Sequence, residues 1–200
     1  MRKLKNSLVL VLAVCLGLMA GCASAQLPQT QEKKEQERKS NVETERKFLI
    51  ELGNIPSNLE NRGDKYELVQ TYISFSPEIR VRSVDGRWFF LTMKTPVDGG
   101  LLSRVETEIE ISEEEYLNFL TKQEGSTIYK TRYQFEEDGY LVALDVYSGE
   151  LEGLAVAEVE FPAEEEAKEY MPPGWFGRDI TEVKAYKNGS LAKNGRPEEQ

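Results

Sequence analysis

Charged residues keep to one alternation of positions in seven stretches of this chain, and their types are those that hold phosphate oxygens and hard metal ions. "VETERKFLI" (Val42–Ile50) carries Glu43, Glu45 and Lys47 at alternate positions. "EIRVR" gives Arg80 and Arg82, "FFLTMK" gives Lys94, and "SRVETEIEI" gives Arg104, Glu106, Glu108 and Glu110. "YKTRY" gives Lys130 and Arg132, "LVALDVY" gives Asp145, and "VAEVEF" gives Glu158 and Glu160. Successive side chains of a strand point to opposite faces, so each set shares one face of its strand. Arg and Lys suit phosphate oxygens, Arg through its bidentate fork, while Asp and Glu suit divalent cations that also bind phosphate.

For any one strand the ordinary explanation is a polar face turned to water. Seven strands with the same habit, and without the Ser, Thr, Asn and Gln of an ordinary solvated face, call for another account. If the sheet closes, the charged faces converge on one lumen. Its seven bases and eight acids can partly neutralise one another. A water-filled lumen lined with ion pairs is one outcome, although ion pairs taken out of water recover little beyond their desolvation cost. A guest of the same divided chemistry, a metal–polyphosphate complex, accounts better for both signs.

The elements that must position these residues follow from period-two patterning and turn chemistry. Strands are expected at Glu43–Glu51, Lys65–Ser74, Glu78–Val84, Arg87–Thr95, Ser103–Ile111, Thr127–Glu136, Tyr140–Tyr147 and Ala155–Phe161. Asp85-Gly86 and Asp138-Gly139 are tight-hairpin signals between neighbouring strands. Ser112 followed by Glu115 predicts a capping box and a helix over "SEEEYLNFL". "PAEEEAKEY" predicts a second helix, with Pro162 at its start and acids in its first turn, and Ile180–Lys193 holds room for a third. The fold class is therefore mainly β (α+β): an eight-stranded antiparallel barrel with a few short helices.

Residues 1–21 read as a secretory signal: Arg2, Lys3 and Lys5, then the apolar run Leu8–Ala20, too short for a comfortable membrane span. The following "LMAGC" resembles the lipobox of bacterial lipoproteins, which makes Cys22 the lipidated first residue of an exported, membrane-anchored protein of the cell envelope. Cleavage after "ASA", leaving Gln26 first, is the alternative. Residues 22–41 are rich in charge and poor in apolar groups, a flexible tether of roughly 25 Å reach. The domain is read as 42–193 and residues 194–200 as a disordered tail. Removing residues 1–21 leaves 22 basic against 35 acidic residues, a formal charge of −13, which argues against nucleic acid as a partner. With Cys15 gone and Cys22 lipidated no disulfide can form, so the fold must rest on its own core. No obligate protein partner is evident.

On these residues the chain resembles the CYTH proteins, or triphosphate tunnel metalloenzymes. "VETERKFLI" carries their ExExK signature, and "EIRVR", "FLTMK", "LSRVETEIEI", "YKTRY", "LDVYSGELEGLAVAEVEF" and "PPGWFG" followed by "DITEVKAYKN" match in order and spacing, from Val42 to about Leu191. It looks most like the compact bacterial branch, several members of which hydrolyse inorganic tripolyphosphate. The resemblance implies an eight-stranded tunnel, a divalent cation (Mg2+ or Mn2+) and a linear triphosphate in the lumen. Carried over, Glu43, Glu45, Asp145, Glu158 and Glu160 are metal ligands, and Lys47, Arg80, Arg82, Lys94, Lys130 and Arg132 bind the triphosphate. Glu106 and Glu108 match the acidic strand that holds a second metal or the attacking water, and with Lys47 and Lys130 they complete the catalytic set. Thr71 stands where relatives commonly have Gly, and Val183 and Ala185 where an acid and an arginine are common.

The expected activity is metal-dependent release of orthophosphate from tripolyphosphate. The alternatives are hydrolysis of thiamine triphosphate or nucleoside triphosphates, class IV adenylate cyclase activity, and a non-catalytic polyphosphate-binding lipoprotein. The chain has no His, so acid–base work falls to carboxylates, Lys or Tyr.

Overall fold

The computed structural model describes residues 42–96 and 103–198. The signal, Cys22 and the tether assigned to residues 1–41 lie outside the described residues, as do residues 199–200 of the tail. Eight strands are present among the described residues. They are β1 (Val42–Leu49), β2 (Asp64–Phe75), β3 (Glu78–Val84), β4 (Trp88–Pro96), β5 (Ser103–Ile111), β6 (Glu124–Glu137), β7 (Tyr140–Ser148) and β8 (Ala155–Phe161). Helix α1 (Glu113–Leu120) lies between β5 and β6, and α2 (Glu164–Glu169) and α3 (Asn188–Asn194) follow β8. The strands close into an antiparallel barrel in the order β1-β5-β4-β3-β2-β6-β7-β8, with β8 returning to β1.

The turn chemistry works as the sequence predicts. Asp85 and Gly86 adopt φ 53° and 62°, and Asp138 and Gly139 φ 51° and 83°, the left-handed pair that matches a two-residue hairpin to strand twist. The Asp85 carboxylate accepts from the Glu67 amide at 2.8 Å, fixing the turn against β2. At the start of α1, the Ser112 hydroxyl accepts from the Glu115 amide at 3.2 Å, and the Glu115 carboxylate accepts from the Ser112 amide at 2.8 Å. The Ser112 amide and hydroxyl both donate to the Glu115 carboxylate and hold it below its ordinary pKa.

Several boundaries differ from expectation, and three of the differences bear on the packing. Strand β6 starts at Glu124 instead of Thr127, because a register shift between Gln70 and Tyr72 lets Tyr72 pair with Glu124. Helix α2 starts after Ala163, so Pro162 lies just outside it. Ile180–Lys193 is only partly helical: a 3-10 turn at Lys184–Tyr186 precedes α3, which ends at Gly195 (φ 78°). Beyond it, Arg196 donates to the Glu152 carbonyl at 3.3 Å. Among the described residues no helix is long and apolar enough to cross a membrane.

The core lies mainly outside the barrel wall. Phe48, Val142, Leu144, Ala157, Val159 and Phe161 point outward from β1, β7 and β8 and pack under Leu59, Ala167 and Tyr170. Val81 and Phe89 pack under Tyr116 of α1. Each large side chain so buried stabilises the wall by about 1.5–3 kcal/mol. Inside the barrel two apolar clusters take lumen-side positions. Leu49, Tyr72, Ile128, Tyr147 and Val156 fill one end beneath Leu151, Leu154, Ile180, Tyr186 and Leu191, and Tyr66, Leu68, Val84 and Phe90 cluster near the β3–β4 turn. The space between is polar.

Candidate active site

Strand register gathers the predicted residues on the inner face. Glu45 stands opposite Glu160 and Lys47 opposite Glu158 across β1–β8, and Arg132 is opposite Asp145 across β6–β7. Across β3–β4–β5, Arg80 faces Thr92, which faces Glu108, and Lys94 faces Glu106. Glu43 is placed by its backbone alone, two residues before Glu45 and opposite Arg104.

Two ion-paired walls result. On β6–β7–β8–β1, Asp145 is wholly buried and takes Lys130 and Arg132 together, with Arg132 at 2.7 and 2.8 Å and Lys130 in direct contact. Arg132 also reaches Glu158 at 2.9 Å, and Glu158 in turn pairs with Lys47, which lies 3.1 Å from Glu45. On β3–β4–β5, Arg80 reaches Glu106 at 3.5 Å and Lys94 pairs with the same carboxylate. Arg82 meets both oxygens of Glu108, at 2.8 and 3.0 Å, and Thr92 donates to Glu108 at 2.9 Å. The signs therefore interleave between adjacent strands instead of separating into a basic and an acidic side.

The electrostatics follow from burial against pairing. Burial alone would raise Asp145 and Glu158, but Arg132, Lys130 and, for Glu158, Lys47 outweigh it and hold both acids below their ordinary range. Burial works against the charge on Lys47, yet Glu158 and Glu45 raise its basicity above that of a free lysine. Lys130 behaves differently: burial, with Arg132 alongside, pushes it down to about 8 despite Asp145. Glu160 is a lumen acid whose carboxyl is raised. Lumen solvent reaches it, but the surrounding wall restricts its hydration and Glu158, Glu45 and Glu106 crowd it with like charge, opposed by Arg132.

Two further observations bear on what the lumen holds. The Nε atoms of Arg80 and Arg82 are buried and find no hydrogen-bond partner among the described residues, a costly state for a donor that an anionic guest would relieve. The like-charge crowding at Glu45 and Glu160 is one that a hard divalent cation would relieve, and carboxylate oxygens are fitting donors for it. Among the described residues no three acids yet converge as a coordination shell, since most are turned to bases.

The chain belongs to the CYTH family. The CYTH domain matches residues 34–190, most of the chain, and begins within the stretch read as tether. An inorganic triphosphatase of Nitrosomonas europaea is 39% identical over 161 residues, which span 76% of this chain and 97% of the relative. An inorganic triphosphatase of Acetivibrio thermocellus is 36% identical over 157 residues, 76% of this chain and 94% of the relative. A crystal structure of an inorganic triphosphatase superposes with a TM-score of 0.57 at 35% identity, covering 78% of this chain and 97% of that one.

Several inner-face residues of this CYTH barrel carry no charge and escape a search for alternating ions. Gln70 is buried and donates to the Tyr72 hydroxyl at 3.3 Å, Thr92 braces Glu108, and the Tyr147 ring lies 5.7 Å from the Lys130 ammonium. Their signal was position: each occupies a lumen-side place in its strand's alternation. The unusual Thr71 lies on the outer face, bonded to Thr127 at 3.1 Å, and Val183 and Ala185 are exposed near the Lys184–Tyr186 turn. Trp175 packs between Phe135 and Phe176, and Trp88 is half exposed at the β3–β4 turn.

Proposed function

We propose that this chain hydrolyses inorganic tripolyphosphate in its barrel lumen, with a divalent ion, Mg2+ or Mn2+, as cofactor. The observation that carries this is the pair of buried, partly unsatisfied guanidiniums of Arg80 and Arg82, joined in one lumen by Lys47, Lys94, Lys130 and Arg132. The identity to two inorganic triphosphatases over nearly their whole length supports the same substrate class.

In this reading Arg80, Arg82 and Lys94 hold one part of the triphosphate, and Lys47, Lys130 and Arg132 the other. Glu45, Glu158 and Glu160, with Glu43 beside them, supply oxygen ligands for the cation, which when bound neutralises phosphate oxygens as a Lewis acid. Asp145, which the resemblance makes a further metal ligand, has both oxygens on Arg132 and Lys130 and in this reading keeps those bases in place instead. Glu106 or Glu108 accepts a proton as water attacks the terminal phosphorus. The P–O bond to the neighbouring phosphate breaks, and orthophosphate and pyrophosphate leave. The bases spread charge as it moves to the leaving oxygen.

The test is phosphate release from tripolyphosphate with Mg2+ or Mn2+, beside ATP and thiamine triphosphate, with and without chelator. Turnover of tripolyphosphate that chelator abolishes supports the reading. Tight binding of tripolyphosphate without phosphate release under either metal would make the protein a polyphosphate binder. Preferential turnover of a nucleotide or thiamine ester would move the substrate.

We also propose export and lipid anchoring through Cys22, supported by the basic start, the apolar Leu8–Ala20 run and "LMAGC". A Cys22→Ser protein that stays in the membrane fraction as wild type does would rule it out.

A further inference from the structure

Strand β1, which carries Glu45 and Lys47, is paired with β8 from Thr44 to Leu49 along one edge. Along its other edge, β5 pairs with Val42–Thr44, and Gly177–Thr181 occupies the remainder. The Leu49 amide donates to the Arg178 carbonyl at 2.9 Å, the Gly177 amide to the Leu49 carbonyl at 3.1 Å, and the Ile180 amide to the Lys47 carbonyl at 2.8 Å. The approach is close: a Cβ on Gly177 would lie 2.4 Å from the Leu49 oxygen.

One bond in this ladder comes from a side chain. The Lys47 amide donates to the Thr181 hydroxyl at 3.0 Å. That hydroxyl lies 2.5 Å from Asp179 Oδ1 and donates its proton there, which leaves its lone pairs for the Lys47 amide. The Thr181 amide also donates to Asp179 Oδ1, at 2.8 Å. Asp179 Oδ2 accepts from Arg46 Nε at 3.1 Å and Nη2 at 2.6 Å. The remaining Arg46 nitrogen, Nη1, donates to the Ala167 and Tyr170 carbonyls at 3.0 and 2.9 Å. The path starts on the side chain of Arg46 and ends on the amide of the next residue, so it closes into a loop through the Arg46–Lys47 peptide bond.

We propose that Thr181, oriented by Asp179 and Arg46, is a positioning residue that sets the place of the Lys47 ammonium in the lumen. The inference rests on the reading of Lys47 as a triphosphate contact. The Lys47 side chain leaves the opposite face of the strand from Arg46 and is held between Glu45 and Glu158. Its reach is therefore set by where the β1 backbone sits, and displacement by about 1 Å can cost up to roughly 100-fold in rate.

The experiment uses the full chain with tripolyphosphate and Mg2+. Thr181→Val keeps the shape and removes the hydroxyl. It should lower kcat/KM by roughly tenfold or more, with hydrogen exchange faster at the Lys47 amide than in wild type. Thr181→Ser, which restores the hydroxyl, should recover most of the loss. In a Lys47→Met background Thr181→Val should add little, because the group it positions is gone. Should the valine protein not fold, Asp179→Asn gives the same comparison. Wild-type kcat/KM in a folded Thr181→Val protein, or a full additive loss in the Lys47→Met background, overturns the positioning role while leaving Lys47 in the site. Full activity of Lys47→Met overturns the reading of Lys47 itself, and the positioning role with it.

Discussion

Lys130 and Asp145 form an ion pair almost wholly withdrawn from water, with side-chain exposures of 2% and 0%. Such a pair recovers little beyond its desolvation cost while intact, but losing one member leaves a buried charge without compensation. Asp145 also holds Arg132 through both oxygens. Asp145→Asn should therefore destabilise the fold by about 3–5 kcal/mol, read as a lower urea midpoint. A midpoint equal to wild type would mean that solvent or Glu158 already compensates the two bases.

The same lysine gives a pH signature. Its folded pKa is about 8, below the 10.5 of an ordinary lysine. Below pH 8 both folded and unfolded chains hold the proton, and the fold carries the cost of the buried ammonium. Between about 8 and 10.5 the folded chain releases the proton while the unfolded chain keeps it. The unfolded state then binds more protons, so this residue's contribution rises in favour of the fold as pH increases. Urea midpoints at pH 7 and pH 9.5 should show wild type gaining relative to Lys130→Met across that interval. Parallel profiles would place the Lys130 pKa outside it.

These two predictions use residues that alternation alone put on the inner face, and most of the barrel was legible in that way. Period-two patterning located the eight strands because charged residues keep to one alternation in most of them, although apolar side chains take inner positions toward both ends of the lumen. Asp-Gly at two hairpins and Ser112 with Glu115 marked boundaries through local chemistry. What stayed hidden was tertiary or uncharged. Arg46 and Asp179 are 133 residues apart, and no local pattern links them. Gln70 and Thr92 lie among the inner-face positions but carry no charge to mark them. The ion-pair partners were illegible as well: register across β3–β4–β5 puts Arg82 level with Phe90 and Glu110, and its guanidinium reaches diagonally to Glu108, one inner-face position along.

Arg80 tests the anion-binding side of the lumen. It is buried, its contact to Glu106 is long at 3.5 Å, and its Nε has no partner among the described residues. Arg80→Met keeps much of the bulk and removes the charge. It should cost about 2–5 kcal/mol of triphosphate recognition, or at least roughly 30-fold in kcat/KM. Circular dichroism checks that the barrel persists. A folded Arg80→Met protein with wild-type kcat/KM would remove Arg80 from the phosphate set.

Glu160 separates stability from metal binding. Its carboxyl is raised by its restricted hydration and by Glu158, Glu45 and Glu106 around it, so in the metal-free protein it is a site of like-charge strain. For an acid with a raised folded pKa, the folded chain keeps its proton longer than the unfolded chain, so the unfavourable contribution sets in as pH climbs above the ordinary carboxylate range and is complete above the raised value. Glu160→Gln removes the charge without changing the shape. The metal-free variant should therefore melt at or above the wild-type temperature at pH 7, with the difference vanishing as pH falls below the ordinary carboxylate range. The same substitution removes an oxygen ligand with full charge, so activity should need a higher Mg2+ or Mn2+ concentration, and added Mn2+ should raise the melting temperature less than in wild type. A variant that melts lower than wild type without metal, and is stabilised by Mn2+ to the same degree, would mean that Glu160 is held by its neighbours and does not serve the cation.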